Sequence, residues 1–379
     1  MTILNRRILL TGANGFIGKN TYVRLKELSN VTVYAFVRGD DLALLSQLVS
    51  EVDSVIHLAG ENRPNDEAEL IKVNVGLTAA LCESIEEVFR LEGRHIPLIF
   101  ASSTQAEKDN PYGHSKIAAE AIVEALTKRT GNPSIIFRLP GVFGKWCKPN
   151  YNSVVATFCH NVARELPIHI DDPTAILRLV YVDDVVNAFL SALEVPAPGL
   201  VNAQVEPVYI VTLRELANKI QAFRNCRSTL MTERVGKGFM RALYATYVSY
   251  LPNDKFSYKV QQHIDPRGVF VEMLKTPDSG QFSYFTAHPG VTRGGHYHHT
   301  KTEKFLVIKG RALFRFRHLL TSELVELRIS GDTPQVVDTI PGWTHDITNV
   351  GDDEMVVMLW ANENFDRERP DTVASKVLK

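Results

Sequence analysis

Two groups of residues in this chain could do chemistry. One is Tyr112-Gly113-His114-Ser115-Lys116; the other is His296-Tyr297-His298, with Glu303 behind it and His345 further on. Tyr112 and Lys116 stand four apart, so on a helix both project from one face. An ammonium beside a phenol lowers the phenol's pKa and lets it exchange a proton with a substrate oxygen near neutral pH. That is the acid/base part of a nicotinamide-dependent reduction. In a β-strand, His296 and His298 point to the same side. A hairpin brings Glu303 opposite them, and His345 comes from a distant strand. Three imidazoles and one carboxylate suit Zn, Fe, Mn or Ni. The two chemistries are related: a ketone that one site can reduce also makes neighbouring C–H bonds acidic enough for another site to epimerise.

The elements that must position these residues follow from apolar patterning. Short runs at Arg7–Leu10, Thr32–Val37, Ser54–Leu58, Pro97–Ser102 and Ser134–Leu139 alternate with amphipathic stretches such as Ile17–Leu28, Glu69–Glu87 and Tyr112–Thr130. That alternation predicts a Rossmann-like doubly wound parallel sheet. Helical patterning continues through Leu213–Phe223 and Gly238–Tyr250. The texture then changes to short strand-like runs between turn residues: Gly268–Leu274, Gln281–Thr286, Phe305–Ile308, Ala312–Arg317, Leu324–Ile329, Gln335–Asp338 and Met355–Leu359. These predict an all-β barrel. The expected domains are 1–250 and 255–379, with the boundary in Tyr250–Ser257.

Composition excludes several classes. A chain of 379 residues is long enough for two domains. Net charge is −1 and charged residues are 22 %, so neither nucleic acid nor an anionic membrane is an expected partner. No apolar run approaches the roughly 20 residues of a membrane span. Arg6-Arg7 before apolar residues reads as the start of a buried strand, because Thr11-Gly12 follows too soon for a secretory signal. Cys82, Cys147, Cys159 and Cys226 show no CxxC spacing and fit buried thiols in a reducing cytoplasm.

Thr11-Gly12-Ala13-Asn14-Gly15-Phe16-Ile17-Gly18 follows the first strand and opens a helix. Gly12, Asn14, Gly15, Phe16, Ile17 and Gly18 are therefore candidates to hold a dinucleotide, its pyrophosphate on the helix N-terminal amides. Arg38, at the end of the second strand, favours a ribose 2′-phosphate and hence NADPH, unless Asp40 or Asp41 turns toward the ribose. Lys145, Asn150 and Asn152 surround aromatic residues and could clamp a diphosphate; the alternative is a surface loop around a buried Trp146.

With Tyr112 and Lys116, these motifs resemble the extended short-chain dehydrogenase/reductase family. His57-Leu58-Ala59-Gly60 matches its third-strand cofactor motif, which adds Leu58, Ala59 and Gly60 to the cofactor set. Ser102-Ser103-Thr104 matches the strand end that supplies the hydroxyl partner; register selects Ser103, with Ser102 and Thr104 as alternatives. Tyr181-Val182-Asp183-Asp184-Val185 matches a later signature. Arg138-Leu139-Pro140-Gly141 matches too, with Gly141 where the family usually has Asn, and Arg138 joins the substrate-side candidates. The resemblance implies nucleotide-sugar substrates.

Gly290-x5-His296-x-His298-x4-Glu303-x6-Gly310 and Gly342-x2-His345-x3-Asn349 resemble the two cupin motifs, with proline displaced by one to Pro341. His299 is expected on the surface. Asp265-Pro266-Arg267 and Arg293-Gly294-Gly295-His296 resemble the sugar-nucleotide 3,5-epimerase branch, which makes Arg267 and Arg293 substrate candidates. In that branch the His of the second motif is the carbon-acid base, and no metal takes part. His296 is therefore a candidate both for catalysis and for the metal, two roles that exclude each other. That branch's catalytic Tyr has no clear equivalent near Trp360.

A reductase followed by this cupin resembles a bifunctional epimerase/reductase family of capsular polysaccharide biosynthesis, through Asn110-Pro111-Tyr112-Gly113, Gly144 through Phe158, His298-His299-Thr300-Lys301, Asn362-Glu363 and Pro370-Asp371-Thr372. The resemblance implies C3 epimerisation of a UDP-4-keto-6-deoxy-N-acetylhexosamine in the barrel, then C4 reduction with NADPH, one zinc ion and a homodimer. Two other readings remain open: a reductase whose barrel is a zinc-stabilised structural or dimerisation module, and a non-enzymatic sensor of NADPH or nucleotide-sugar.

Overall fold

A computed structural model describes residues 6–64, 66–194, 198–260, 262–265, 268–271, 274, 281–363 and 368–378, with backbone alone at 262–265, 268–271 and 281–283. In chain order the first elements are β1 (Arg6–Thr11), α1 (Phe16–Lys26), β2 (Val31–Phe36), α2 (Leu42–Glu51), β3 (Ser54–His57) and α3 (Ala68–Leu70). A π-helical segment, Ile71–Gly76, leads into α4 (Leu77–Glu92). There follow β4 (Leu98–Ser103), α5 (Pro111–Thr130), β5 (Ser134–Leu139), β6 (Gly141–Phe143), α6 (Val154–Ala163), β7 (Ile176–Tyr181), α7 (Val182–Glu194), β8 (Leu200–Ala203) and β9 (Tyr209–Thr212).

Strands β2-β1-β3-β4-β5-β8 form one parallel sheet in that order. Its central strands read as nearly continuous apolar runs because helices cover both faces. Successive residues serve opposite faces. Leu9, Val55, Leu98 and Phe100 pack with Leu45, Leu81, Ile85 and Val123 from α2, α4 and α5. Ile8, Leu10, Ile56 and Ile99 pack with Leu25, Val185 and Phe189 from α1 and α7. The doubly wound sheet expected from the apolar alternation is the one observed. All four cysteines are free thiols. Among the described helices none is long and apolar enough to cross a membrane.

The remaining elements are α8 (Leu213–Thr229), α9 (Gly238–Ser249), β10 (Ser257–Lys259), β11 (Gln262–Asp265), β12 (Gly268–Val271), β13 (Gln281–Ala287), β14 (Thr292–Tyr297), β15 (Glu303–Lys309), β16 (Arg311–His318), β17 (Leu324–Ser330), β18 (Gln335–Asp338), β19 (Trp343–Asn349), β20 (Met355–Ala361) and β21 (Val373–Ala374). Two five-stranded sheets, β10-β18-β15-β20-β13 and β17-β16-β19-β14-β21, pair antiparallel as a cupin-like barrel. Strands β14 and β19 escaped the apolar reading, since Thr, Arg, Gly, His and Asp fill them.

Compactness divides the chain differently from strand texture. One unit is 1–146 with 177–210; the other is 147–176 with 211–379, so α6, α8 and α9 group with the barrel. A buried charge network explains part of this. Lys304 Nζ on β15 donates to Asp338 Oδ1 at 2.6 Å, and Arg227 of α8 lies 3.5 Å from Asp338 Oδ2 and over the Tyr258 ring. Burial alone would lower the Lys304 pKa, but Asp338 holds it well above the ordinary value. One carboxylate therefore answers a buried cation and a half-buried one. Asp338→Asn should cost about 3–5 kcal/mol of stability, the range for removing one partner of a buried pair, and urea unfolding followed by near-UV circular dichroism checks it.

Candidate active site and metal centre

The loop between β1 and α1 forms the dinucleotide cradle. Gly12 has φ +70°, and a Cβ there would stand 2.7 Å from Ala59 N, so only glycine lets β1 approach the end of β3. A Cβ on Gly18 would meet Gly12 O at 2.0 Å. Gly15 begins α1 with no side-chain cap, which leaves the first amides of the helix to a ligand. Asn14 and Gly15 are exposed at this mouth, Phe16 and Ile17 are half-buried, and Gly18 is buried. A pyrophosphate fits such a cradle. Thr11 Oγ1 accepts from the amides of Leu58 and Ala59 at 3.2 Å and meets His57 Nδ1 at 2.6 Å. Burial drives His57 down to about 3, so it is a neutral bridge, reaching Thr78 Oγ1 at 3.0 Å on its other side.

Arg38 stands at the end of β2 with its side chain 80 % exposed, and its Nη2 lies 2.5 Å from Glu61 Oε2. The two acidic alternatives are engaged elsewhere: Asp40 accepts from Val37 N, and Asp41 caps α2 through Ala43 N.

Asn110 caps α5 by accepting from Gly113 N at 2.8 Å, and Pro111 occupies its first turn. A Cβ on Gly113 would lie 2.3 Å from Gln105 O and 2.4 Å from Lys108 O. Glycine therefore lets the start of α5 press onto the 3-10 turn Thr104–Glu107 that follows β4. The Ser103 hydroxyl opposes the rise that burial imposes on the Tyr112 phenol. Of the alternatives to Ser103, Ser102 donates to Glu120 and Thr104 leans on the Leu139 carbonyl. Lys116 is buried and donates to Ala101 O at 3.0 Å. Burial pushes Tyr112 up and Lys116 down to about 8. The phenol is thus protonated here, and what opposes burial is Ser103; the expected lowering by Lys116 is not part of this balance.

Asn74, on the π-helical segment, was invisible to motif reading. Its amide holds Glu61 N at 2.7 Å and Glu61 O at 2.9 Å, and donates to Ser115 Oγ at 2.9 Å, which in turn donates to Tyr112 O. It ties the loop after β3 to the dyad helix. A helix widened to π geometry is a frequent device at functional positions.

Substrate-side candidates fare unevenly. Arg138 is held by Glu120 and Glu107. Lys145 is 1 % exposed and donates to Asp183 Oδ1 at 2.7 Å, so its ammonium is committed inside the unit. Asn150 and Asn152 are exposed and belong to the second unit, Asn150 in a left-handed turn with φ +54°. Arg293 lies over the Phe285 ring and donates to Thr286 O. Arg267 falls outside the described residues.

The barrel brings His296, His298, Glu303 and His345 together, with one ligand atom from each lying within 4.8 Å of the others. His296 on β14 faces His345 on β19 directly in register. Glu303 Oε2 lies 3.1 Å from His298 Nε2 and 3.6 Å from His345 Nε2, while Oε1 lies 3.3 Å from Lys301 Nζ. Burial would raise the Glu303 pKa, but His298 and His345 hold it well below the ordinary value. Burial, then His345 and His298, push His296 down to about 3; burial also lowers His345. Neutral imidazoles are the ligating form. Both ring nitrogens of His345 are buried without a hydrogen-bond partner. His298 Nδ1 donates to the Asp371 carbonyl, which leaves Nε2 facing the Glu303 carboxylate. A divalent cation among the four would partner the orphaned His345 ring and the buried carboxylate, and the donor set fits it. His299 is 7 % exposed and packs on Tyr297, so the surface position expected for it is corrected: the loop after β14 folds inward.

Residues 8–205 match the NAD dependent epimerase/dehydratase family, and residues 263–373 match the polysaccharide biosynthesis C-terminal domain. A Pseudomonas aeruginosa protein, UDP-2-acetamido-2,6-beta-L-arabino-hexul-4-ose reductase, is 56 % identical over 98 % of this chain and 99 % of its own length. The crystal structure of the capsular polysaccharide assembling protein CapF from Staphylococcus aureus is 39 % identical, covers 98 % of this chain and 100 % of that one, and has a TM-score of 0.65. This chain belongs to the CapF-type UDP-sugar epimerase/reductases. Mouse dTDP-D-glucose 4,6-dehydratase, 25 % identical over 68 % of this chain and 81 % of its own, is a more distant relative. The CapF-type pairing of domains accounts for two sets of chemical residues in one polypeptide.

Burial depresses Lys116 from 10.5 to about 8. Between those values the unfolded chain binds the extra proton, so this residue's contribution to stability grows as pH rises from about 8 to 10.5. Lys116→Met should flatten that rise, seen as a smaller pH dependence of the thermal midpoint than in wild type across the same window.

Proposed function

We propose that this chain reduces a UDP-4-keto-6-deoxy-N-acetylhexosamine at C4 with NADPH after its barrel has epimerised C3, yielding a UDP-2-acetamido-2,6-dideoxy-L-talose for surface polysaccharide, in the UDP-N-acetyl-L-fucosamine route, and that it works as a homodimer. The observation that carries the reductase reading is Tyr112 one turn from the buried Lys116 on α5, its phenol kept protonated by burial. Reduction of a ketone needs a proton donor at the oxygen that becomes the hydroxyl, and a phenol with a raised pKa is in the donating state. The substrate class is supported by the printed name of the P. aeruginosa relative, and NADPH by the exposed Arg38 guanidinium at the end of β2.

NADPH, when bound, supplies a hydride to C4. Ser103 holds the carbonyl oxygen, and Tyr112 gives it a proton. Lys116, buried beneath, completes the acid/base helix face and lines the space beside Gly60. Epimerisation has to come first, because the C4 carbonyl is what acidifies the C3 hydrogen. A divalent ion, zinc by the family resemblance, would be held by His296, His298, Glu303 and His345 and would polarise that carbonyl as a Lewis acid. On this reading His296 is a ligand with no lone pair left for a proton, and the carbon-acid base lies outside the four ligands.

Purified protein incubated with the 4-keto sugar derived from UDP-GlcNAc, with and without NADPH, tests the scheme by NMR. Tyr112→Phe should slow NADPH oxidation by roughly 10²–10⁴-fold, the usual share of a general acid, while C3 deuterium uptake in D2O persists. Loss of both together would count against separate sites. Wild type without any C3 exchange would leave the barrel a structural metal module. Arg38→Ala should raise KM for NADPH by about 10- to 100-fold, the size of one charge-assisted hydrogen bond, and leave KM for NADH unchanged.

A further inference from the structure

Asp371 supplies no ligand and belongs to no metal motif, yet it makes five hydrogen bonds with the metal loop. Its carbonyl accepts from His298 Nδ1. Its carboxylate accepts from three consecutive amides, His299 N at 2.9 Å, Thr300 N at 2.6 Å and Lys301 N at 2.7 Å, and from Thr300 Oγ1 at 3.0 Å. Burial alone would raise its pKa, but His299 and these amides hold the carboxylate well below the ordinary range. Successive amides converging on one anion make a concave nest. Here the anion is the protein's own, and the nest is the turn that separates His298 from Glu303.

The segment around Asp371 reaches the other two histidines as well. Strand β21 pairs with β14 at His296 and Tyr297. Ser375 N donates to Gly295 O at 2.8 Å, and Thr344 Oγ1, beside His345, donates to Ser375 O at 2.7 Å. So each of the three imidazoles, or its immediate neighbour, rests against residues 371–375.

We propose that Asp371 is a positioning residue of the metal centre, and that its carbonyl and carboxylate set how tightly the centre holds its ion. The proposal rests on the metal reading above. The carbonyl fixes His298 with hydrogen on Nδ1 and the lone pair of Nε2 toward Glu303; the carboxylate sets the path of residues 299–301 and hence the reach of Glu303. Outer partners of this kind typically change metal affinity 10- to 100-fold when removed.

The test uses the full chain with zinc, and separately with cobalt(II) as a visible probe. In chelator competition Asp371→Ala should bind zinc about 10- to 100-fold more weakly, and its cobalt(II) bands should shift, since the ligand field reports the geometry of the donors. Asp371→Asn, which keeps an acceptor for two of the amides, should fall between the two. Arg317→Ala, which cuts bonds to the carbonyls of Lys376 and Val377 beyond the nest, should lower the thermal midpoint without moving zinc affinity or the bands. Asp371→Ala with wild-type affinity and unchanged bands overturns the proposal. Should that variant not fold, Asp371→Asn decides, and wild-type values there overturn it equally. A wild type that takes up neither ion removes the metal reading itself, a result distinct from a loaded wild type matched by its variants.

Discussion

A carboxylate buried among three imidazoles must meet positive charge where it sits, and the barrel is organised around that requirement. Lys301 answers one oxygen of Glu303 at 3.3 Å. The other oxygen faces the His298 and His345 rings at 3.1 and 3.6 Å, and the His345 ring nitrogens have no hydrogen-bond partner. Buried polar groups left without a partner are costly. Everything that brings them together is specified by independent pieces of chain: a register that sets His296 against His345, a turn that folds His299 inward, and the terminal strand on β14. So much constraint spent on an arrangement that is unfavourable when empty is best explained by the cation that would make it favourable.

The reductase half solves a different problem. On the proposed reading its acid, Tyr112, must be neutral until it is used, and burial does that directly. No opposite charge is needed at the phenol; what is needed is position. Gly113 supplies it by omission, because any side chain there would collide with the carbonyls of Gln105 and Lys108. Asn74 supplies it by connection, fastening the loop after β3 to the helix that carries Tyr112. Destabilising features, a π-helical segment and a buried lysine, gather around this point, as they do where geometry serves chemistry rather than stability.

Residues with local signatures were legible in the amino-acid order. The Gly12–Gly18 loop, Tyr112 with Lys116, and the spaced histidines each carry their geometry in their spacing, and the apolar alternation of β1, β3 and β4 announces a sheet covered on both faces. Strands β14 and β19 were not legible in the apolar pattern and entered only through the histidine motifs, although they hold two of the four candidate ligands. An apolar pattern reports burial against an apolar core, and these strands turn polar side chains inward. Lys145 looked like a phosphate clamp because a lysine in a loop is usually solvated; its ion pair with Asp183, distant in sequence, cannot be seen from either residue alone. Asn74 was silent, and Asp371 stood only in the matched run Pro370-Asp371-Thr372 with no role, for the same reason: what they hold is mostly backbone, and backbone partners leave no mark on composition.

On the proposed reading, carbon acidity settles the order of events, whatever route the intermediate takes. While C4 is a carbonyl, the C3 proton can leave and return on either face. After hydride and proton have been added at C4, the stabilising carbonyl is gone and the C3 configuration is locked. A reductase that discriminated poorly at C3 would therefore trap the wrong epimer irreversibly. Discrimination must sit in the half that adds hydride. The barrel need only let the two epimers interconvert. That division of labour matches what the two halves are built from: a buried phenol for the step that fixes C3, and a polarising centre for the step that leaves it free.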